Sequence, residues 1–590
     1  MTTIRAARRP TTGVVLALLG CLLAAGCVSL PESGPVVETA PSQVLDEPEA
    51  AAIDAVPPQQ GDSALGIVDG FLAAMTAYPV QTNVARQFLA QEAQTSWNPD
   101  EATITYADVT TPSASGTGVS VTLRDPETLD ARGGWEGPLP EGERELTFQM
   151  VIEDGEYRIR EAPDALIVPA SWFAQRFRQV SLYFFDRTAQ ILVPEPVFVP
   201  RGEQLATTLI DGLLAGPGED LTGIARSFLP SGLSVGLSVP VSDEGVAEIS
   251  LVGEAGAQNP EVVEKILAQL TWTLRQEPSI RAVRLAIGGE QVRLPGGVSE
   301  YGVDDAPDYD PTGYQSSRLL YGLRDGLLVS GEPDALSPAD GPLGLEDFGL
   351  RSVSVNLPAT SAAGVSADGT SILLAPVREV AGEVGEDTVE QVVSGATDLL
   401  PPSWDFTDRL WLVDRATEGA RVIFREGGAL RPLVVPGVTG EDVRSFIVSR
   451  DATRFVAVVR TRGVDRLQVG RIQVDFQGRV RRVVETRTLT FAEAEPLRVT
   501  DIGWTSATEV ALLSQVVPGE LFEVRTVAVD GAPAGTEALS TTVNARVVAL
   551  AGTPLEGGRQ YAVTRDSLVD LSTGRVLGLG DRVDSLDYVG

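Results

Sequence analysis

The sequence predicts a multidomain chain that passes from mixed α+β structure to an all-β propeller. Three observations lead there. Helical spacings of apolar residues recur as far as Leu274, and after Gly302 short strand-like runs with turn residues replace them. In that second part the turns recur: Asp368-Gly369 stands before Ser371–Ala375, Asp451 before Phe455–Val459, and Asp530-Gly531 after Val524–Val529. Trp404 and Trp504 occupy similar elements, each followed by an acidic-to-aliphatic run (Asp408–Val413 and Glu509–Leu513). From 316 to 590 there is room for roughly six blades at ~40–45 residues each. A pair of β-sandwiches is the plainer alternative, and recurrence together with length favours the propeller.

Composition narrows function. The 590 residues suffice for three or four domains. A net charge of −35 argues against nucleic acid, whose affinity comes mainly from Lys and Arg on phosphates. There is no histidine, which removes the Ser-His-Asp triad, the Cys-His dyad and imidazole zinc sites. Cys21 and Cys27 are the only cysteines, so a chain beginning at Cys27 has no disulfide within it. No catalytic, cofactor-binding or metal-binding residue is assigned, and no cofactor is expected.

The N-terminus reads as a secretory signal over residues 1–26. Arg5, Arg8 and Arg9 precede an apolar run from Gly13 to Ala25, which ends in Gly26-Cys27. That run is short of the roughly 20 residues a bilayer span needs. A cysteine directly after small residues resembles the bacterial lipobox, which implies cleavage between Gly26 and Cys27 and acylation of Cys27. Lipoboxes favour Leu three residues before the cysteine, where this chain has Ala24, with Leu23 one step earlier. Leu18-Leu19-Gly20-Cys21 is a competing match that leaves an apolar tail. Residues 27–61 form a tether with six prolines, six carboxylates and no basic residue, a composition that favours extended, unpacked chain.

Residues 62–170 form a first domain. Asp62 or Ser63 caps a helix carrying Ala64, Val68, Phe71, Leu72 and Met75, and a second helix around Val84, Phe88 and Leu89 leads to Trp97. Strands follow at Thr103–Val109, Gly118–Leu123, Glu145–Ile152 and Tyr157–Ile159, the last two joined by Asp154-Gly155. Two helices and a curved antiparallel sheet resemble the NTF2-type cone fold. Residues 176–296 form a second domain. It has a strand at Gln179–Phe185, a helix with Leu205, Leu209 and Leu213 ended by Gly216-Pro217, and a hairpin of Leu233–Val239 with Val246–Ser250. Asn259-Pro260 then starts a helix carrying Val262, Ile266, Leu270 and Leu274, and Ala282–Ile287 is the last strand. Leu182–Asp186, Gln204–Ala206, Leu214–Pro217 and Leu270–Leu274 resemble a GerMN domain, a small non-catalytic α/β module. An acidic linker, 297–315, precedes the propeller at 316–590.

This order of modules, with Cys27 followed by Ser29 and Pro31, the Ala85–Leu89 segment and Trp97, resembles the LpqB family of actinobacterial lipoproteins. The resemblance implies a plasma-membrane lipoprotein on the cell-wall side, linked to envelope homeostasis and division. It also implies an accessory role beside the MtrA–MtrB two-component system, with the extracellular part of the sensor kinase as partner. A binder of wall glycan or peptide is the second reading. A carboxylate-based glycosidase, needing two acids about 5–9.5 Å apart, is the third.

Three motifs imitate chemistry. Gly232-Leu233-Ser234-Val235-Gly236 matches the G-x-S-x-G elbow, but the serine has no histidine to take its proton. Lys265 has Val262, not serine, three residues before it, and reads as a solvated side chain. Asp304, Asp305, Asp308 and Asp310 form the densest acidic cluster, and Asp308-x-Asp310-x-Thr312-Gly313 opens like an EF-hand calcium loop, yet Leu319 stands where the bidentate Glu belongs.

Overall fold

The computed structural model describes residues 53–590 apart from 116–117, 203, 255, 257–258, 379–387, 490–496 and 534–539. The signal, Gly26, Cys21, Cys27 and nearly all of the tether lie outside the described residues.

Ser63 caps the first helix, Ala64–Ala74, its Oγ accepting from the Gly66 N–H at 3.2 Å. Ile67, Val68, Phe71, Leu72 and Ala74 are its buried side chains. The expected second helix divides into Asn83–Arg86 and Gln91–Ser96. The backbone between them is used elsewhere: the Ala90 N–H donates to the Ile159 carbonyl (2.8 Å) and the Ile159 N–H to that of Phe88 (2.9 Å). One chain, Ala102–Tyr106 running into Asp108-Val109, contributes to both sheets of the domain. The hairpin at Asp154-Gly155 is present, with φ of +53° and +86° as a type I′ turn requires. The sequence reading omitted Glu127–Asp130, Trp135–Pro138 and Leu166–Pro169, which complete the four-stranded sheet.

In the second domain Phe177–Asp186 pairs along its length with Leu192–Pro200, a strand also absent from the expectations. Helix Leu205–Ala215 ends at Gly216, φ +83°. Helix Pro260–Leu274 is capped by Asn259, whose Oδ1 accepts from the Val262 N–H at 2.9 Å. The expected Leu233–Val239 strand shrinks to Ser234-Val235, and the hairpin survives as its pairing with Leu251-Val252 and one bridge, Val241 to Ala247. The chain leaves the sheet after Gly236, turns fully exposed at Leu237, and reaches Pro240, which has no N–H for a ladder.

Six four-stranded antiparallel sheets follow among the described residues. The innermost strands of blades two to six are Leu350–Val355, Ser403-Trp404, Val443–Val448, Val499–Trp504 and Ala549–Ala551. Blade one takes its three other strands from 320–338 and its innermost from the C-terminus, Asp584–Asp587, with Tyr321 opposite Asp587. Innermost strands touch in cyclic order and close the ring. Trp404 and Trp504 both end innermost strands, and the Trp504 Nε1 donates to the Val448 carbonyl of the neighbouring blade at 3.1 Å. The Asp-centred turns are alike in chemistry but not in place. Asp368 accepts from Ser366 and Thr370 between the second and third strands of blade two. Asp451 accepts from Ser449 and Thr453 between the first and second strands of blade four. Their irregular spacing in the sequence follows from that difference.

Around the axis, Asp501 accepts from the Leu550 N–H (2.8 Å) and Asp587 from the Gly552 N–H (3.1 Å), tying blades five and one to blade six. Enclosure by the blades pushes Asp501 up to about 6 and Asp587 up to about 7, with Asp501 adding to the shift of Asp587. Asp587 is nonetheless exposed at its surface, and solvent screens part of the cost. Both groups hold protons in the folded protein that the unfolded chain has released above about pH 4. Stability is therefore lost as pH rises from about 4 through about 7. Asp587→Asn keeps the acceptor and removes the charge. It is expected to reduce the loss between pH 5 and 8 by about 1 kcal/mol, read by urea unfolding at the two pH values.

Candidate functional site

The three domains meet around a cavity of about 650 Å³. The first domain contributes the turn Asp130–Gly134. Asp130 Oδ1 accepts from the N–H groups of Arg132 (2.9 Å) and Gly134 (2.7 Å), and the Gly133 carbonyl accepts from the Phe198 N–H (2.8 Å). Gly133 has φ +81°, and a Cβ there would lie 2.1 Å from the Phe198 oxygen, so only glycine allows this approach. The turn delivers Arg132 to the second domain. Its Nη1 and Nη2 donate to the two oxygens of Glu195 at 2.9 Å each, and further bonds run to Asp130 and the Gly216 carbonyl. Burial alone would lower the Arg132 pKa, but Glu195 and Asp130 hold it above its ordinary value. Glu195 also accepts from the Gly218 N–H at 3.1 Å.

The propeller supplies the floor through blade four. Arg454 and Arg471 are directly opposed on neighbouring strands and keep 3 % and 9 % of their surface exposed. Arg454 donates to the Pro194 carbonyl of the second domain and pairs with Asp451 at 3.4 Å. Arg471 Nη1 is buried with no hydrogen-bond partner among the described residues. Burial, and secondarily the charge of Arg454, pushes the Arg471 guanidinium down to about 9. Arg487 stands 4.0 Å from Asp220. Other contacts fix the same arrangement: Arg275 pairs with Glu556 at 3.1 Å, Arg187 stacks 4.2 Å from the Phe476 ring centroid, and Ala528 and Ala532 enter the first domain's core.

The motifs singled out in the sequence do not meet here. Ser234 is exposed on its short strand. Lys265 is half-buried, its Nζ 5.7 Å from the Phe228 ring centroid. The acidic cluster builds turns and an ion pair: Asp305 accepts from the Gly302 N–H, Asp310 from Thr312, and Asp304 lies 3.5 Å from Arg275. Among the described residues no group of three or more Cys, Asp and Glu is placed to hold a metal. Sequence reasoning missed Arg132, Glu195, Arg454 and Arg471. The one available signal was Arg454 standing directly after the Asp451 turn motif, since a turn of known chemistry fixes the start of the next strand.

An α+β domain, a small α/β domain and a six-bladed propeller packed together define a class of multidomain propeller proteins. Comparison with known families matches all three: "Lipoprotein LpqB, N-terminal domain" over residues 57–174, "Sporulation and spore germination" over 181–293, and "Lipoprotein LpqB beta-propeller domain" over 326–575. The chain belongs to the LpqB lipoprotein family. It is 28 % identical to Lipoprotein LpqB of Streptomyces coelicolor, covering 96 % of this chain and 94 % of that one. It is 28 % identical to Lipoprotein LpqB of Thermobifida fusca, covering 97 % of each. The first GerMN domain of the sporulation protein GerM from Bacillus subtilis is 27 % identical, covering 21 % of this chain and 97 % of that chain, with a TM-score of 0.19. Family membership implies a membrane-anchored lipoprotein, and no helix among the described residues is long and apolar enough to cross a membrane.

Proposed function

We propose that this lipoprotein is a non-catalytic accessory protein, held by acylated Cys27 at the outer face of the plasma membrane, that binds and modulates the extracellular part of an MtrB-type sensor kinase. The observation that carries the reading is the locking of three domains into one body through Arg132–Glu195, Arg454–Pro194 and Arg275–Glu556. A body so coupled transmits a contact made by one domain to the others, which suits a modulator. Residues 27–61 confine that body near the membrane and raise its effective concentration toward membrane-bound partners. The kinase as partner comes from the family resemblance.

Intact mass and fractionation of wild type and Cys27→Ala test the anchor, and crosslinking on intact cells tests the partner. The expected result is an acylated wild type beginning at Cys27, a variant released from the membrane or left unprocessed, and kinase crosslinks in wild type that fall several-fold in the variant. An unacylated, secreted wild type refutes the anchor. Acylated protein that never crosslinks to the kinase refutes the partner.

A further inference from the structure

The carboxylates beside the three-domain cavity are largely committed. Glu195 is taken by Arg132 and the Gly218 N–H, Asp130 by Arg132 and its own turn, and Asp530 by Gln179 and the Ala532 N–H. Arg471 has no such partner at Nη1, although it is nine-tenths buried and lines the cavity beside Arg454. An unpaired buried charge is costly, and a guanidinium fork matches the two oxygens of a carboxylate or phosphate. At the mouth the charge reverses: Glu101, Glu136 and Glu219 are exposed there. Burial, and then Asp130, Asp220 and Glu219, raise the Glu136 pKa, as expected where negative charge is crowded.

We propose that this cavity binds a small ligand through a carboxylate or phosphate oxyanion seated on Arg471, with the charge of Arg454 beside it. The acidic mouth favours an oxyanion with a cationic group behind it, as in a short peptide, over a bare dianion. The volume, about 650 Å³, accommodates a molecule of that size.

The test uses the full-length mature lipoprotein in detergent, titrated calorimetrically with the dipeptide alanyl-alanine, its C-terminal amide, and inorganic phosphate. Saturable binding of dipeptide or phosphate, with none of the amide, is the expected result. Tighter dipeptide identifies a carboxylate ligand, and tighter phosphate a phosphorylated one. Arg471→Gln is expected to weaken binding at least tenfold, the order expected for losing a charged hydrogen bond. It should leave the ligand-free melting temperature equal or higher, because it removes an unpaired buried charge. Arg471→Lys, which keeps the charge and loses the fork, should also bind more weakly and guards against misfolding of the first variant. No saturable binding of either oxyanion, amide binding equal to the acid, or unchanged affinity in both variants overturns the proposal.

Discussion

Removal of Asp584–Gly590 is expected to abolish the folded propeller. Those residues are the innermost strand of blade one together with its continuation. They bury Leu586 and Val589 almost completely, at 1 % and 3 % exposed. They also carry the Val589 carbonyl that accepts from Arg450 at 2.7 Å and the Gly590 N–H that donates to Val355 at 3.0 Å. Each buried aliphatic side chain contributes roughly 1.5–3 kcal/mol. Arg450, itself buried, loses an acceptor, which adds about 1–3 kcal/mol. The total rivals the 5–15 kcal/mol stability of an ordinary domain. Circular dichroism and gel filtration should show loss of the cooperative transition and aggregation, because blade one is left with an unpaired strand edge. Leu586→Ala is the milder companion, expected to cost about 2–4 kcal/mol while the ring stays closed. A truncated protein that melts like wild type would mean that closure by this strand contributes little.

Glu195→Ala should produce the second large effect. Glu195 is the acceptor through which the second domain holds Arg132, and both side chains are mostly enclosed, 7 % and 14 % exposed. Removing one partner of such a pair leaves an under-compensated charge, and about 3 kcal/mol is expected, at the low end for buried pairs because Arg132 retains Asp130 and the Gly216 carbonyl. Limited proteolysis should then cut between the first and second domains at rates at least tenfold above wild type. Glu195→Gln, which keeps an acceptor for Gly218, should lose less. Equal protection of all three proteins would show that the domains are held by the remaining contacts alone.

What could be read in the sequence was local. The Pro260–Leu274 helix announces itself through Asn259-Pro260 and apolar residues four apart, and the structure forms it with that cap. Ala282–Ile287 was legible with the same bounds. Leu192–Pro200 was not, because Pro194, Pro196 and Pro200 make it look like loop. It is an edge strand of its sheet, where proline is tolerated. Leu233–Val239 misled in the opposite direction: its alternation is that of a strand, yet Gly236 and Pro240 end the pairing early. The cavity was illegible for a different reason. Arg454 and Arg471 stand singly beside apolar residues of their strands, where an arginine reads as part of a blade's solvated face. Their burial comes from two other domains docking over that face, and no window of sequence contains such a contact.

The pairing of Tyr321 with Asp587 sets an order of events. Both strands belong to one blade, yet nearly the whole propeller lies between them, so the entropy of closing that long loop is met only at the end. A chain made from its N-terminus can assemble its two leading domains before the propeller's last strand exists. Blade one must wait, with Leu320–Arg324 unpaired along one edge. Interrupted synthesis would therefore give a protein with sound leading domains and an open ring, a species that exposes its own incompleteness to proteases.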